Sequence, residues 1–317
     1  MIAVLGAFDG FHRGHALLFE RAREMAAPAG LEWGGVTFDS IPGHYMGALK
    51  NVLFTLRERE LIRPFLGIPR LEILKFDDEL LKLPPSGFWE FLCGRIAVDG
   101  IVVGRDFRFG HRREGDARLL ERYCREAGAP FLAVDLLRHL EVKISSSAIR
   151  AAVADGQCDL AAKELGYPYF ILANVDHGLG RGREIGFPTA NLKITGAKLV
   201  PPEGVYSAAV LAEGTWKAGA VSIGKNPTFG DVSDVRVEVF VVDYRGNLYE
   251  DNLLVFFLSR LRQQTRFKDV NQLTSQIKTD VELSRAAFRR DFDSSPGKYI
   301  GFKAGYDRLI SGSRCLM

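Results

Sequence analysis

The chain changes rhythm near its middle, and no other feature restricts its fold as strongly. Up to about residue 165, apolar runs of strand length alternate with segments of helical period. Such alternation calls for a parallel, doubly wound sheet of the α/β kind, because each crossover between parallel strands needs a helix. The run IAVLGAF is the first strand, and Leu17, Leu18, Ala22, Met25 and Ala26 mark a helix ending near Pro28. GGVTFD follows as a strand. The next helix opens on a capping box, Thr55 with Glu58, and closes at Gly67. LEILKF, GIVVG and FLAVDLL read as strands. SGFWEFLCGRI, the charged stretch Asp116 to Ala127, and SSSAIRAAVADG closed by Gly156 read as helices.

Beyond Gly166 the strands follow one another with only turns between: YFILANVD, GVYSAAVLA, KAGAVSIG, RVEVFVVDY and LLVFFLSRL. Strands joined this way pair antiparallel, which predicts a small β-barrel. One C-terminal helix, about Asn271 to Arg290, is expected to pack on it, with Asp269 as its cap and Leu273, Ile277, Val281 and Phe288 on one face. The expected domains are 1–165 and 166–317, joined by a helical stretch at about Asp159 to Leu165.

A length of 317 residues accords with two cores. Apolar residues make up 47% and charged residues 26%, the balance of a globular chain. The formal net charge is only +3 and no basic stripe is visible, so no nucleic-acid partner is expected. Four scattered cysteines without a CxxC pair favour reduced thiols and a cytoplasmic setting. No apolar run reaches membrane-spanning length and no secretory signal precedes Asp9, so no membrane partner is expected.

In a doubly wound sheet, ligands gather at the carboxyl ends of the strands. Three segments follow predicted strands there: the HRGH turn, the residues after TFD, and GRDFRFG. In GAFDGFHRGH the strand hands over to a helix, and a helix N-terminus presents free N–H groups and a positive dipole to a phosphate. Gly10 and Gly14 let a ligand approach the backbone, and His12 and His15 offer imidazole N–H donors. Half of a zinc site and a plain polar turn are the alternatives, although no nearby Cys or His completes a zinc site. Ser145, Ser146 and Ser147 supply hydroxyls and helix-start N–H groups, or merely an N-cap, and Arg150 adds a cation on the same helix. Phe107 and Phe109 share a face if their strand continues, as core or as a wall on which a ring stacks. Asp39 is either a nucleotide contact or a turn aspartate.

Eight segments now stand in order: GAFDGFHRGH, VTFD, VVGRDFRFGHRREGD and ISSSAIR, then GREIGFPTAN, PPEGVY, SIGKNPTFG and VEVFVVDYRGNLY. Together they resemble the bacterial bifunctional riboflavin kinase/FAD synthetase family over nearly the whole chain. The resemblance implies a nucleotidyltransferase-type first module of the HxGH class, which joins AMP from ATP to FMN and releases pyrophosphate. His12, His15 and Arg150 would act in that step; Gly10, Gly14, Asp106, Phe107, Phe109 and Ser145–Ser147 would bind its substrates. It implies a flavokinase second module that phosphorylates riboflavin to FMN. There Gly182, Gly186 and Pro188 would bind ATP, Thr189 and Asn191 would bind nucleotide and Mg²⁺, and Glu238 would be the general base. The expected ligands are thus ATP, riboflavin, FMN and Mg²⁺, with no oligomeric state implied.

The chain departs from the family's pattern at several positions. After Asp39, DSIPGHY keeps only Pro42 and a displaced His44. In the second module Asn226 stands for an arginine, Glu250 for a glycine and Gln264 for a glutamate. These departures leave two rivals: an adenylyltransferase with a flavin-binding but kinase-inactive second domain, and a flavin- or nucleotide-binding regulator without either activity.

Overall fold

The structure is a computed structural model that describes residues 1–135, 137–139, 142–176, 182, 185–225, 235–249 and 251–314. The chain forms two compact units, Met1–Ala148 and Ile149–Met317.

The first unit carries strands β1 (Ile2–Leu5), β2 (Trp33–Phe38), β3 (Arg70–Leu74), β4 (Gly100–Gly104) and β5 (Phe131–Val134). They form one parallel sheet in the order β3-β2-β1-β4-β5. Between them run helices α1 (Arg13–Ala26), α2 (Leu56–Phe65), α3 (Pro85–Arg95) and α4 (Ala117–Glu126). Both faces of the sheet are covered, as the parallel strands require. Ala3, Leu5, Ile101 and Val103 pack into one core with Leu92 of α3 and Leu120 of α4. On the other face Phe19 of α1 lies over Gly35, where a Cβ would stand 3.1 Å from its ring. The expected capping box is present: Glu58 N–H donates to Thr55 Oγ1 at 3.3 Å, and Thr55 N–H donates to Glu58 Oε2 at 2.8 Å. Strand order reverses between β1 and β4, so the crevice at their carboxyl ends is the switch point where such sheets bind ligands.

The strand GIVVG ends at Gly104, as its apolar run predicts. The strand ending at Gly104 does not continue to Phe109. Phe107 N–H turns back to Gly104 O at 2.9 Å, and Arg108–Phe109 pairs separately with Gly115–Asp116. The condition under which Phe107 and Phe109 would share a face of a continued strand is therefore not met.

Helix α5 (Ser146–Ala154) and helix α6 (Cys158–Leu165) follow, and α6 lies within the second unit. The remaining strands are β6 (Phe170–Asp176), β7 (Ala190–Lys193), β8 (Gly204–Ala212), β9 (Thr215–Lys225), β10 (Val235–Val241) and β11 (Asn252–Arg262). They close an antiparallel barrel in the order β6-β7-β10-β9-β8-β11. Along β10, Val237, Val239 and Val241 are buried, whereas Arg236, Glu238 and Phe240 on the opposite face are half-buried. Helix α7 (Val270–Ser294) begins on the expected cap, with Gln272 N–H donating to Asp269 Oδ1 at 2.8 Å.

The expectation of a single closing helix is corrected. The backbone breaks at Ser295, and α8 (Pro296–Arg314) begins with proline in its first turn. Gly297, Gly301 and Gly305 weaken its local helical signal, since glycine costs about 1 kcal/mol against alanine in a helix. Tertiary packing compensates. Tyr299 and Phe302 are buried, and the Phe302 ring lies 4.9 Å from Phe256 and 5.4 Å from both Tyr167 and Phe170. Trp216 Nε1–H donates to Tyr299 O at 3.0 Å. Phe302→Ala should therefore cost the second unit about 3–5 kcal/mol, read as a lower denaturant midpoint for the unit's unfolding. A midpoint equal to that of the unmodified protein would remove α8 from the folded core.

Candidate functional site

The turn between β1 and α1 is held in a conformation that its side chains rarely adopt alone. Phe8 and Phe11 have φ of 46° and 41°, in the left-handed region. Their rings stack 5.2 Å apart and lie 5.1 and 6.0 Å from Phe19, so buried packing holds the strained turn. His12 follows with an extended backbone and caps α1: its Nδ1 accepts a hydrogen bond from His15 N–H at 3.3 Å. An Nδ1 that accepts must be unprotonated, which leaves the proton of the neutral ring on Nε2. Gly14 makes this possible. A Cβ there would stand 3.1 Å from His12 Nδ1 and 3.2 Å from Cε1, pressing on the ring that caps the helix.

The His15 ring stacks on His12 with centroids 3.6 Å apart, and His15 Nδ1 is buried without a partner among the described residues. Burial lowers the His12 pKa to about 4; a backbone hydrogen bond and Asp106 oppose the shift, and Lys143 reinforces it. Burial also pulls His15 well below the ordinary range, with His12 adding to the effect. Both rings are neutral at pH 7. They offer N–H donors beside the free N–H groups of a helix start, an arrangement suited to phosphate oxygens.

The influence of Asp106 and Lys143 on His12 brings the residues after β4 and those before α5 to the same edge. Lys143 Nζ pairs with Asp106 Oδ2 at 2.6 Å. Ser145 Oγ accepts from Ala148 N–H at 3.2 Å, so this serine serves as a cap, with Ser146 and Ser147 in the first turn of α5. Arg150 stands one turn further along α5 and is half-buried. Phe109 is only 5% exposed and packs 5.5 Å from Phe88 in the core; Phe107, stacked 5.8 Å from it, keeps some exposure. Asp39 acts as a turn residue, its Oδ1 accepting from Ser40 N–H at 2.7 Å and Phe76 N–H at 2.9 Å. His44 Nδ1 lies 2.9 Å from Leu49 O.

The second site is a polar row across three barrel strands. In register, Asn191 of β7 and Ser222 of β9 both lie opposite Glu238 of β10. Thr189, two residues before Asn191, donates from Oγ1 to Glu238 Oε2 at 3.4 Å. Gln264 Nε2–H donates to Ser222 Oγ at 2.9 Å and to Ile223 O at 3.1 Å. An amide can donate to that carbonyl, whereas an ionised carboxylate cannot, so the glutamine departure has a local purpose. Phe187 packs on Phe240 at 5.3 Å, and both join Ile277 and Phe288 of α7. Gly182 and Gly186 each need glycine: a Cβ on the first would lie 2.3 Å from Phe187 O, and the second has φ of 84°. A cleft of about 260 Å³ opens beside the row, lined by Val175, Pro188, Thr189, Val239, Tyr244 and Asn247 among others. Asn226 and Glu250 lie outside the described residues.

Sequence reading missed Lys143 and Ser222, whose side chains acquire neighbours only through the sheet and barrel. The sole local signal was Ser222 lying within the SIGKNPTFG segment.

These features define a class: an α/β unit with a histidine-capped helix start at the switch point of its sheet, followed in the same chain by a barrel with a row of carboxylate, amide and hydroxyl groups. The FAD synthetase family model matches residues 1–148, and the riboflavin kinase family model matches residues 165–288. A bifunctional riboflavin kinase/FMN adenylyltransferase of Bacillus subtilis is 33% identical over 89% of this chain and 90% of its own length. The protein of that description from Escherichia coli K12 is 32% identical, covering 90% of this chain and 92% of its own. A crystal structure described as a macrolide-efflux protein from Streptococcus pneumoniae superposes with a TM-score of 0.81 at 32% identity, covering 90% of this chain and 93% of the other. Among the described residues, no helix is long and apolar enough to cross a membrane. The chain belongs to the bifunctional riboflavin kinase/FMN adenylyltransferase family.

The His12 arrangement makes the first unit acid-sensitive. The folded pKa is depressed, so the unfolded chain takes up the proton first as pH falls. The stabilisation is complete above pH 6.5, the ordinary histidine value, and is lost between there and about 4. Its size is up to about 3 kcal/mol. Denaturation of the unmodified protein and of His12→Asn across this range checks it: the unmodified protein should lose more stability at low pH than the variant, in which, of the stacked pair, only the buried His15 remains to be protonated.

Proposed function

We propose that His12, His15 and Arg150 act in adenylyl transfer to FMN, and that Glu238 is the base of riboflavin phosphorylation. In the first step an FMN phosphate oxygen attacks the α-phosphorus of ATP, and the bond to the pyrophosphate oxygen breaks. Two anions must meet in line, so the chemistry needs orientation and charge stabilisation rather than a covalent intermediate. Neutral imidazole N–H groups, the start of α1, the Ser145–Ser147 segment and the Arg150 guanidinium suit that task. Gly10 and Gly14 allow close approach; Asp106 and Phe107 flank the same edge, and Phe109 supports Phe107 from the core.

In the second step the ribityl 5′-hydroxyl of riboflavin attacks the γ-phosphorus of ATP, and ADP leaves. Glu238 takes the hydroxyl proton. The observation carrying this reading is the register that sets Asn191 opposite Glu238 with the Thr189 hydroxyl on the same carboxylate. A hydroxyl and an amide oxygen are hard donors suited to Mg²⁺. No cluster of three His, Cys, Asp or Glu is present among the described residues. The ion would therefore be held by Thr189 and Asn191 jointly with nucleotide phosphates and water, as is usual for Mg²⁺. Bound there, it would neutralise charge on the phosphate oxygens. Gly182, Gly186 and Pro188 shape the approach to Thr189, and the adjoining cleft receives the nucleotide.

The adenylyltransferase domain is read as 1–165 and the kinase domain as 166–317. A cytoplasmic location fits the scattered cysteines, and the partners are flavins and ATP rather than nucleic acid or membrane. Riboflavin supplied with ATP and Mg²⁺ should give FMN and then FAD by chromatography. Glu238→Gln should lower phosphorylation of riboflavin by about 10²–10⁴-fold and leave conversion of FMN to FAD unchanged. FMN conversion by the unmodified protein without any phosphorylation of riboflavin would overturn the kinase assignment.

A further inference from the structure

Arg59 is 1% exposed, a charged side chain in the interior of the first unit. Its guanidinium donates to four oxygens, none of them a carboxylate. One terminal nitrogen reaches Ala7 O at 3.3 Å and Thr37 Oγ1 at 3.2 Å; the other reaches Phe38 O at 2.8 Å and Asp39 O at 2.9 Å. Thr37 Oγ1 in turn donates to Ala7 O at 3.0 Å. Arg59 Nε is buried without a partner among the described residues.

A buried cation held this way is a poor means of gaining stability, because an apolar side chain of similar volume avoids the desolvation cost. Its placement gives it another use. The register of β1 on β2 ends at Leu5 opposite Val36, and the chains then diverge. One enters the turn that carries His12 and His15; the other runs to Asp39. The Arg59 fork ties the two together just past the last strand pair, where backbone pairing no longer does. Its charge also faces Asp9, which is buried, and Asp39. Two carboxylates at this edge would oppose a polyphosphate, and a fixed cation among them offsets that field.

We propose that Arg59 is a positioning residue of the adenylyl-transfer site, its fork setting the His12–His15 turn against the end of β2 and its charge favouring ATP. This rests on the reading of the first unit as the adenylyltransferase. Fork and charge separate in two variants, since lysine keeps the charge and loses the planar fork while methionine loses both. Kinetics of FAD formation from FMN, with ATP varied, should show Arg59→Lys at least tenfold down in kcat with KM for ATP within about threefold. Arg59→Met should lose kcat and also show KM for ATP raised at least tenfold. Phosphorylation of riboflavin in the same preparations should match the unmodified protein.

A purely architectural role would lower the melting point and the yield of active enzyme without splitting KM between the two variants. Equal KM in both, or unchanged kcat in both, overturns the proposal. If neither variant folds, Thr37→Val decides, because it keeps Arg59 and removes the hydroxyl that accepts from the fork and itself donates to Ala7 O. A fall in its kcat for FAD formation supports the proposal, and an unchanged kcat overturns it. Loss of FAD formation from FMN in the unmodified protein would instead refute the underlying assignment of activity.

Discussion

In the first unit, the hydrogen bond from His15 N–H to His12 Nδ1 ties the chemistry of the site to the fold. It satisfies one of the orphan donors at the start of α1 and fixes the His12 tautomer. It also presses the two imidazoles into a stack. That bond needs a glycine at position 14, so that the ring can fold over the helix start. It also needs a chain that leaves β1 along a left-handed path through Phe8 and Phe11, and the buried aromatic packing of Phe19 holds that path. Sheet, turn, helix and site are thus one arrangement, and the depressed His12 pKa follows from its burial.

The second unit reaches its site by a different route. An antiparallel barrel fixes which residues lie across from one another, and alternation along β10 puts Glu238 on the face opposite Val237, Val239 and Val241. Once β7 and β9 pair with β10, Asn191 and Ser222 flank the carboxylate without any local signal between them. A one-residue slip would turn Glu238 into the barrel interior, where an ionised carboxylate is costly. The hydrophobic pattern that builds the barrel therefore also specifies the position of the polar row.

Much of this was legible in the sequence because period and caps are local. Helical spacing located α1, the Thr55–Glu58 box located α2, and Asp269 located the start of α7. The order of quoted segments pointed to the family that the comparisons establish. The misreadings occurred where local signals were weak or overruled. Glycines at 297, 301 and 305 hid α8, which buried aromatic packing holds in place. The four residues of β7 were too few to show alternation.

The sequence by itself determined the two-unit order, the fold class of each unit, and which residue types could bind phosphate or accept a proton. These follow from periodicity, turn chemistry and functional groups carried on neighbouring residues. Only the tertiary structure decided that Lys143 and Asp106 act on His12, that Ser222 lies across from Glu238, and that Arg59 spans the ends of β1 and β2. The reason is physical. Strand pairing and burial bring together groups distant in the chain, and desolvation alters their properties only once the surrounding core exists.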